Sequence, residues 1–190
     1  MASADVLEFP DAADWESWLA AWHGERTEAW LRIGKRHSGM ALLTITDALD
    51  VALCYGWIDG QRKSLDDVSF LQRYSRRRPK SSWSRVNVEK VEALIAADRM
   101  RPAGLAEVAA AKADGRWDAA YEPQRTAEVP ADLAVALAGN AGAKAAFERL
   151  GRSARYLVIL SLLKARTPET RARALERAVA RLADQQPVDE

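Results

Sequence analysis

Two strings of this sequence concentrate side chains able to bind or transform a ligand. In residues 52–61 a single carboxylate, Asp59, lies two positions from Trp57, with Arg62 and Lys63 close behind. A carboxylate beside an aromatic wall and nearby cations can serve as a general base, or accept hydrogen bonds from a cationic group. It can equally pair with Arg73 or Arg77 across a hairpin, a purely structural role. Residues 73–87 are dense in donors: Arg73, Arg76, Arg77, Arg78, Lys80 and Arg85, the hydroxyls of Ser81, Ser82 and Ser84, and the start of a helix near Asn87. Unpaired N–H groups at a helix start favour anions, and guanidinium groups add bidentate geometry for phosphate or carboxylate. The expected chemistry is anion binding, with Lys35, Trp57, Asp59, Lys63, Arg77, Arg78, Ser82, Trp83 and Asn87 as lining candidates. The scaffold reading stands beside it, with serines as caps and arginines as surface charge. If a reaction is catalysed, Asp59 is the candidate acid or base, and the arginines would stabilise developing negative charge.

The charge balance narrows the partners. The 190 residues carry 28 Lys and Arg against 27 Asp and Glu, a formal net charge of +1, with 48% hydrophobic residues. This apolar fraction excludes a disordered polyampholyte, and 10 Gly with 7 Pro exclude collagen-like and low-complexity classes. By position the charges separate. Seven acids and one base fall between Met1 and Ala29, six bases and no acid between Val68 and Val88, and nine bases against Glu169 and Glu176 between Arg149 and Arg181. Tyr74 and Trp83 among the bases of 73–87 also suit stacking on single-stranded nucleic acid, a rival reading. A pI near 7.9 speaks against it, and an anionic small molecule is the expected partner.

Other templates for chemistry are missing. His23, His37 and Cys54 have no metal-ligand spacing, and no zinc, nucleotide or other cofactor motif occurs. Cys54, alone and near a helix end, reads as a small core residue. No apolar run reaches 18 residues, so no membrane span is expected. The first residues carry Asp5 and Glu8 without a basic, then apolar, leader, and the expected location is cytoplasmic.

The positioning elements follow from periodicity. Asp11 caps a helix with Trp15, Trp18, Leu19 and Trp22 on one stripe, ending before Gly24. Glu28 to Lys35 alternates as a strand. Thr46 is expected to cap a helix from Asp47 to Tyr55, closed by Gly56 in the left-handed conformation. Residues 57–63 and 68–74 form a hairpin about a polar turn. Helices then follow after Ser84 or Asn87 and from Pro102, a loop spans 116–126, and four further helices occupy 130–138, 140–150, 153–165 and 168–182. The fold class is α+β: a small antiparallel sheet with helices in residues 1–120, including a β-hairpin at 57–74, followed by an all-helical part at 127–186.

Residues 52–61 and 73–87, with Lys35, Gly104, Ala113-Asp114-Gly115-Arg116-Trp117, and the stretches 129–133 and 167–173, resemble the YdeI/OmpD-associated family, also called bacteriocin-protection proteins. The chain departs from the family pattern in two places. Ser75-Arg76-Arg77-Arg78-Pro79 stands where the family usually has Thr-Pro-Arg-Arg-Pro, and Arg173-Ala174-Leu175 where it usually has Arg-Arg-Ile. The resemblance implies a helical OmpD-associated module at the C-terminus, and a role in stress tolerance through protection against bacteriocins or antimicrobial peptides. It implies no reaction and no catalytic residue.

Overall fold

The computed structural model describes residues 6–36 and 38–184; Asp5 and His37, named above, lie outside them, as does the chain beyond Asp184. The described chain forms two compact units. One comprises the residues up to Trp83 together with Asn87–Ala119, and the other comprises Ser84–Val86 and the residues from Ala120 onward.

The first unit is built on a four-stranded sheet in the order β1-β2-β4-β3. Strand β2 (Glu28–Gly34) and strand β4 (Ser69–Arg76) pair antiparallel from Glu28 against Ser75 to Gly34 against Ser69. Strand β3 (Trp57–Ser64) pairs antiparallel with β4 as the expected hairpin, with a bulge between Asp59 and Arg62. Strand β1 (Val6–Leu7) adds parallel to β2, so the sheet is not wholly antiparallel. Two residues are too few to carry an alternating pattern, which is why this strand left no trace in the sequence.

Alternation decides the two sheet faces. Ala29, Leu31, Ile33, Tyr74 and Trp57 are buried on one face, against Trp15 of helix α1 (Ala12–Trp22). On the other face charged side chains cover the strands: Arg73 pairs with Glu28, Arg32 with Glu8 and Asp66, and the Lys63 ammonium lies 4.3 Å from the Trp30 ring centroid. Helix α1 starts as expected, with Asp11 Oδ1 accepting from the N–H groups of Ala13 and Asp14 at 2.9 and 3.0 Å. Its tryptophan stripe is not uniformly core. Trp15 and Leu19 are fully buried, but Trp22, at the last turn, is 40% exposed, with Arg26 over its ring.

Helix α2 (Ile45–Cys54) begins earlier than expected because Thr44, not Thr46, is its cap. Thr44 Oγ1 accepts from the Asp47 N–H at 3.1 Å and donates to the Asp47 carboxylate at 2.7 Å, a reciprocal closure that Thr46 does not make. Gly56 follows its C-terminus at φ +74°. Helices α3 (Arg85–Ala96) and α4 (Pro102–Ala113) complete the order, the latter with Pro102 at its first position as expected.

The second unit packs α5 (Ala131–Ala138), α6 (Ala141–Arg149), α7 (Arg152–Leu163) and α8 (Pro168–Ala183) around Leu133, Leu137, Phe147, Ile159, Leu162 and Leu182. Asn140 caps α6, and Thr167 and Thr170 form a capping box at α8. Arg171 joins three helices, pairing with Asp132 at 2.6 Å and donating to the Leu162 carbonyl at 3.1 Å. No helix among the described residues is long and apolar enough to cross a membrane.

Helices α2 and α4 approach closely at Gly104, where a Cβ would lie 2.3 Å from the Cys54 carbonyl oxygen and 2.8 Å from its carbon. Gly104→Ala must therefore push two backbones apart. It is expected to lower stability by about 1–3 kcal/mol in urea unfolding. Gly24→Ala, with nothing within 4 Å of the added Cβ, should leave the midpoint nearly unchanged.

Candidate functional site

The bulged hairpin and the turn after it gather five of the residues expected to line a site. Trp57 opens β3 and is fully buried, edge-on to Trp15 and Trp18. Asp59 lies opposite Tyr74 in the ladder, on the same face. Although the residue as a whole is exposed, its carboxyl is crowded by protein, and the loss of water raises its pKa above the usual aspartate value. The positive charges of Arg77 and Arg62 oppose that rise without cancelling it. Arg77 is buried, its guanidinium 3.5 Å from the Trp83 ring centroid and Nη1 donating to the Ser82 carbonyl at 3.4 Å. Trp83 in turn packs on Trp117 at 4.8 Å.

Much of the arginine-rich string is therefore spent on holding itself. The buried Arg116 pairs with Asp114 at 2.7 Å and donates to the Ser81 carbonyl at 3.1 Å. The backbone N–H of Arg78 donates to Ser81 Oγ at 3.1 Å, while the Arg78 side chain is exposed. Asn87 is buried in the first turns of α3. Of the two pairings considered for Asp59, Arg73 is engaged with Glu28 instead. Three buried donors in this region, Trp57 Nε1, Tyr74 OH and Trp83 Nε1, have no hydrogen-bond partner among the described residues. Burial pushes the Tyr74 phenol well above its ordinary value, and the Asp59 charge adds to the effect. The Cys54 thiol, also buried, is pushed up by the same loss of water, which disfavours the thiolate.

Lys35 and Lys63 are placed elsewhere. Lys63 covers Trp30 on the opposite face of the sheet. Lys35 lines a cleft of about 860 Å³ at the far end of the sheet, enclosed by the β2–α2 loop, the start of α2 and the hairpin. Its walls combine Lys35, Arg36 and Arg62 with Met40, Leu42, Ile45 and Phe70, and no carboxylate among the described residues lines it. Hydroxyls of Ser38, Thr44, Thr46 and Ser64 are interspersed. Arg62 is preset, stacked 4.4 Å over Phe70 with Nε donating to Gln72 Oε1 at 3.2 Å. Lys35 Nζ donates to the Asp66 carbonyl at 2.8 Å. Arg36 is exposed at the rim. Three cations among apolar side chains suit an anion that carries an apolar group.

Arg36 and Phe70 did not stand out in the sequence, and Arg62 did so only as a cation close behind Asp59. The available signal was Gly34-Lys35-Arg36 followed by Gly39: a basic pair between glycines, joining a strand to a threonine-capped helix. Gly34 lets the β2–α2 loop pack close, since a Cβ there would lie 3.2 Å from Ser38 Oγ and 3.6 Å from the Met40 Cβ.

Comparison with known families divides the chain in two. Residues 7–107 match a family described as a domain of unknown function (DUF8412). Residues 126–185 match the family described as bacteriocin-protection, YdeI or OmpD-associated. The resemblance read from the sequence thus holds for the C-terminal part, while the strings at 52–61 and 73–87 both lie within the first match. No curated protein and no solved structure matches the chain.

Asp59 supplies a pH test. Its folded pKa is raised, so the folded state holds its proton more tightly than the unfolded state, and the stability Asp59 contributes falls as pH rises from the ordinary aspartate range through the raised value. Asp59→Asn should therefore raise the melting temperature at neutral pH and flatten its dependence on pH between the unfolded and folded values. Thermal denaturation of both proteins across that range measures it; an unchanged slope would mean the carboxyl is not desolvated.

Proposed function

We propose that this chain, which belongs to the family of unknown function matched at residues 7–107 and carries a bacteriocin-protection, YdeI or OmpD-associated module at 126–185, is a cytoplasmic bacteriocin-resistance protein that binds an anionic small molecule. The observation that carries the binding reading is the cleft at the end of the sheet, with Lys35, Arg36 and Arg62 around apolar walls and no opposing carboxylate among its described lining residues. Hydrophobic contacts with Phe70, Met40 and Leu42 would hold the apolar part of the ligand, and the cations its charged head. A guanidinium already stacked and hydrogen-bonded, as in Arg62, loses little freedom on binding. The buried Cys54 thiol is compatible with a reducing compartment.

This reading places the ligand beside the hairpin, with Lys35 as the sequence-predicted residue that takes part. It assigns Arg77, Trp83 and Ser82 to holding the turn after β4. Asp59 then tunes the hairpin and needs no part in a reaction.

Calorimetric titration with phenyl phosphate, benzoate and inorganic phosphate tests the cleft. Both aryl anions should bind more tightly than phosphate, and Arg36→Glu should weaken them by about tenfold, a change of about 1.4 kcal/mol. Equal affinity for all three, or binding indifferent to Arg36→Glu, would remove the cleft from consideration. Expression of the chain in a bacteriocin-sensitive bacterium tests the protective role separately. The inhibitory concentration should rise with the wild-type protein and less with Arg36→Glu.

A further inference from the structure

The helical unit carries a second surface feature, independent of the cleft. Between α7 and α8 runs a groove of about 360 Å³, walled by Leu150, Ala154, Leu157 and Val158 on one side and by Ala174, Ala178 and Leu182 on the other. Arg177 and Arg181 stand along its α8 edge, and no carboxylate among the described residues lines it. Leu157 is 65% exposed, a large apolar side chain left in water at the groove. The residues from 154 to 161 and from 174 to 181 each cover about 10 Å of helix, so the groove is about two turns long. Ala154, Ala174 and Ala178 leave the room that larger side chains would fill.

We propose that this groove docks an acidic amphipathic helix of a partner protein. The apolar stripe of such a helix, at spacings of three and four residues, would seat between α7 and α8 against Leu157, Val158 and the alanines, as a third helix packs into the seam of two others. Its carboxylates would meet Arg177 and Arg181, which lie four residues apart on one edge and so match acids four residues apart on the incoming helix. Charge selects the sign of the partner. Among the described residues the groove presents two cations and no anion, and over residues 120–184 eleven Lys and Arg stand against seven Asp and Glu. A basic helix would meet uncompensated repulsion there. In the sequence, Arg173, Arg177 and Arg181 read as a solvated face of the last helix. Only the packing of α7 beside α8 turns the last two into the edge of an apolar groove.

The test uses the full chain and two fluorescein-labelled synthetic helices with the same leucine stripe, one flanked by glutamates and one by lysines. Fluorescence anisotropy should show saturable binding of the glutamate helix that weakens with added salt, and little binding of the lysine helix. The double variant Arg177→Glu, Arg181→Glu should weaken the glutamate helix by about tenfold and strengthen the lysine helix. Leu157→Ala should weaken the glutamate helix while leaving its salt dependence in place. All three side chains are exposed, and circular dichroism will establish that the variants fold. Equal binding of the two helices, binding unaffected by the charge reversal, or no binding of the glutamate helix would overturn the proposal. So would a concentration-dependent dimer, seen by sedimentation, that the charge reversal dissolves, since the occupant would then be a second copy of this chain.

Discussion

The burial of one indole, that of Trp15, fixes much of the N-terminal unit. Its ring lies 5.4 Å from Phe9, 5.3 Å from Trp18, 5.9 Å from Tyr74 and 6.4 Å from Trp57, and its Nε1 donates to the Ala48 carbonyl at 3.1 Å. A single side chain thereby ties together the segment before α1, helices α1 and α2, and strands β3 and β4. A fully buried tryptophan removes on the order of 200 Å² from water, worth about 5 kcal/mol before entropy is charged against it. The hydrogen bond to Ala48 sets α2 against α1, and the contact with Trp57 sets the start of the hairpin. The start of α2 and the hairpin are also two walls of the basic cleft, so the cleft inherits its shape from the aromatic core rather than from its own polar residues.

Arginine has two uses in this protein, divided by what lies within reach of the guanidinium plane. Arg77 lies on Trp83 and donates to the Ser82 carbonyl; Arg116 binds Asp114 and the Ser81 carbonyl; Arg171 binds Asp132 and the Leu162 carbonyl. Each satisfies carbonyls or carboxylates that would otherwise be stranded at turns and helix ends. Arg36, Arg177 and Arg181 instead stand exposed on the linings of concave surfaces. A near-neutral total charge conceals this division, because it counts structural and surface cations alike.

Legibility in the sequence tracked the range of the interaction responsible. The α1 cap at Asp11, the left-handed Gly56, Pro102 at the start of α4 and the hairpin all depend on neighbours a few residues away, and the sequence placed them correctly. The cap of α2 is Thr44 and not Thr46, two residues on, because both are good caps and only the closure with Asp47 separates them. Strand β1 exists only through β2. At the candidate site, Arg77, Ser82 and Trp83 hold one another, with Asp59 in electrostatic reach of Arg77, while Trp57 joins the aromatic core and Lys35 and Lys63 diverge to an end and an opposite face of the sheet.

From the sequence alone came the α+β class, the sign of each charged segment and the resemblance of the C-terminal part, because composition, period and motif are local quantities. The tertiary structure decided which charges have partners. Whether a guanidinium caps a carbonyl or faces a groove depends on the element packed beside it, and that neighbour is set by burial of residues such as Trp15 and Leu162 far away in the chain. The basic stretch between Val68 and Val88 looked like the binding surface; packing turned most of it into scaffold, and gave open concave surfaces to Arg36 and to Arg177 and Arg181.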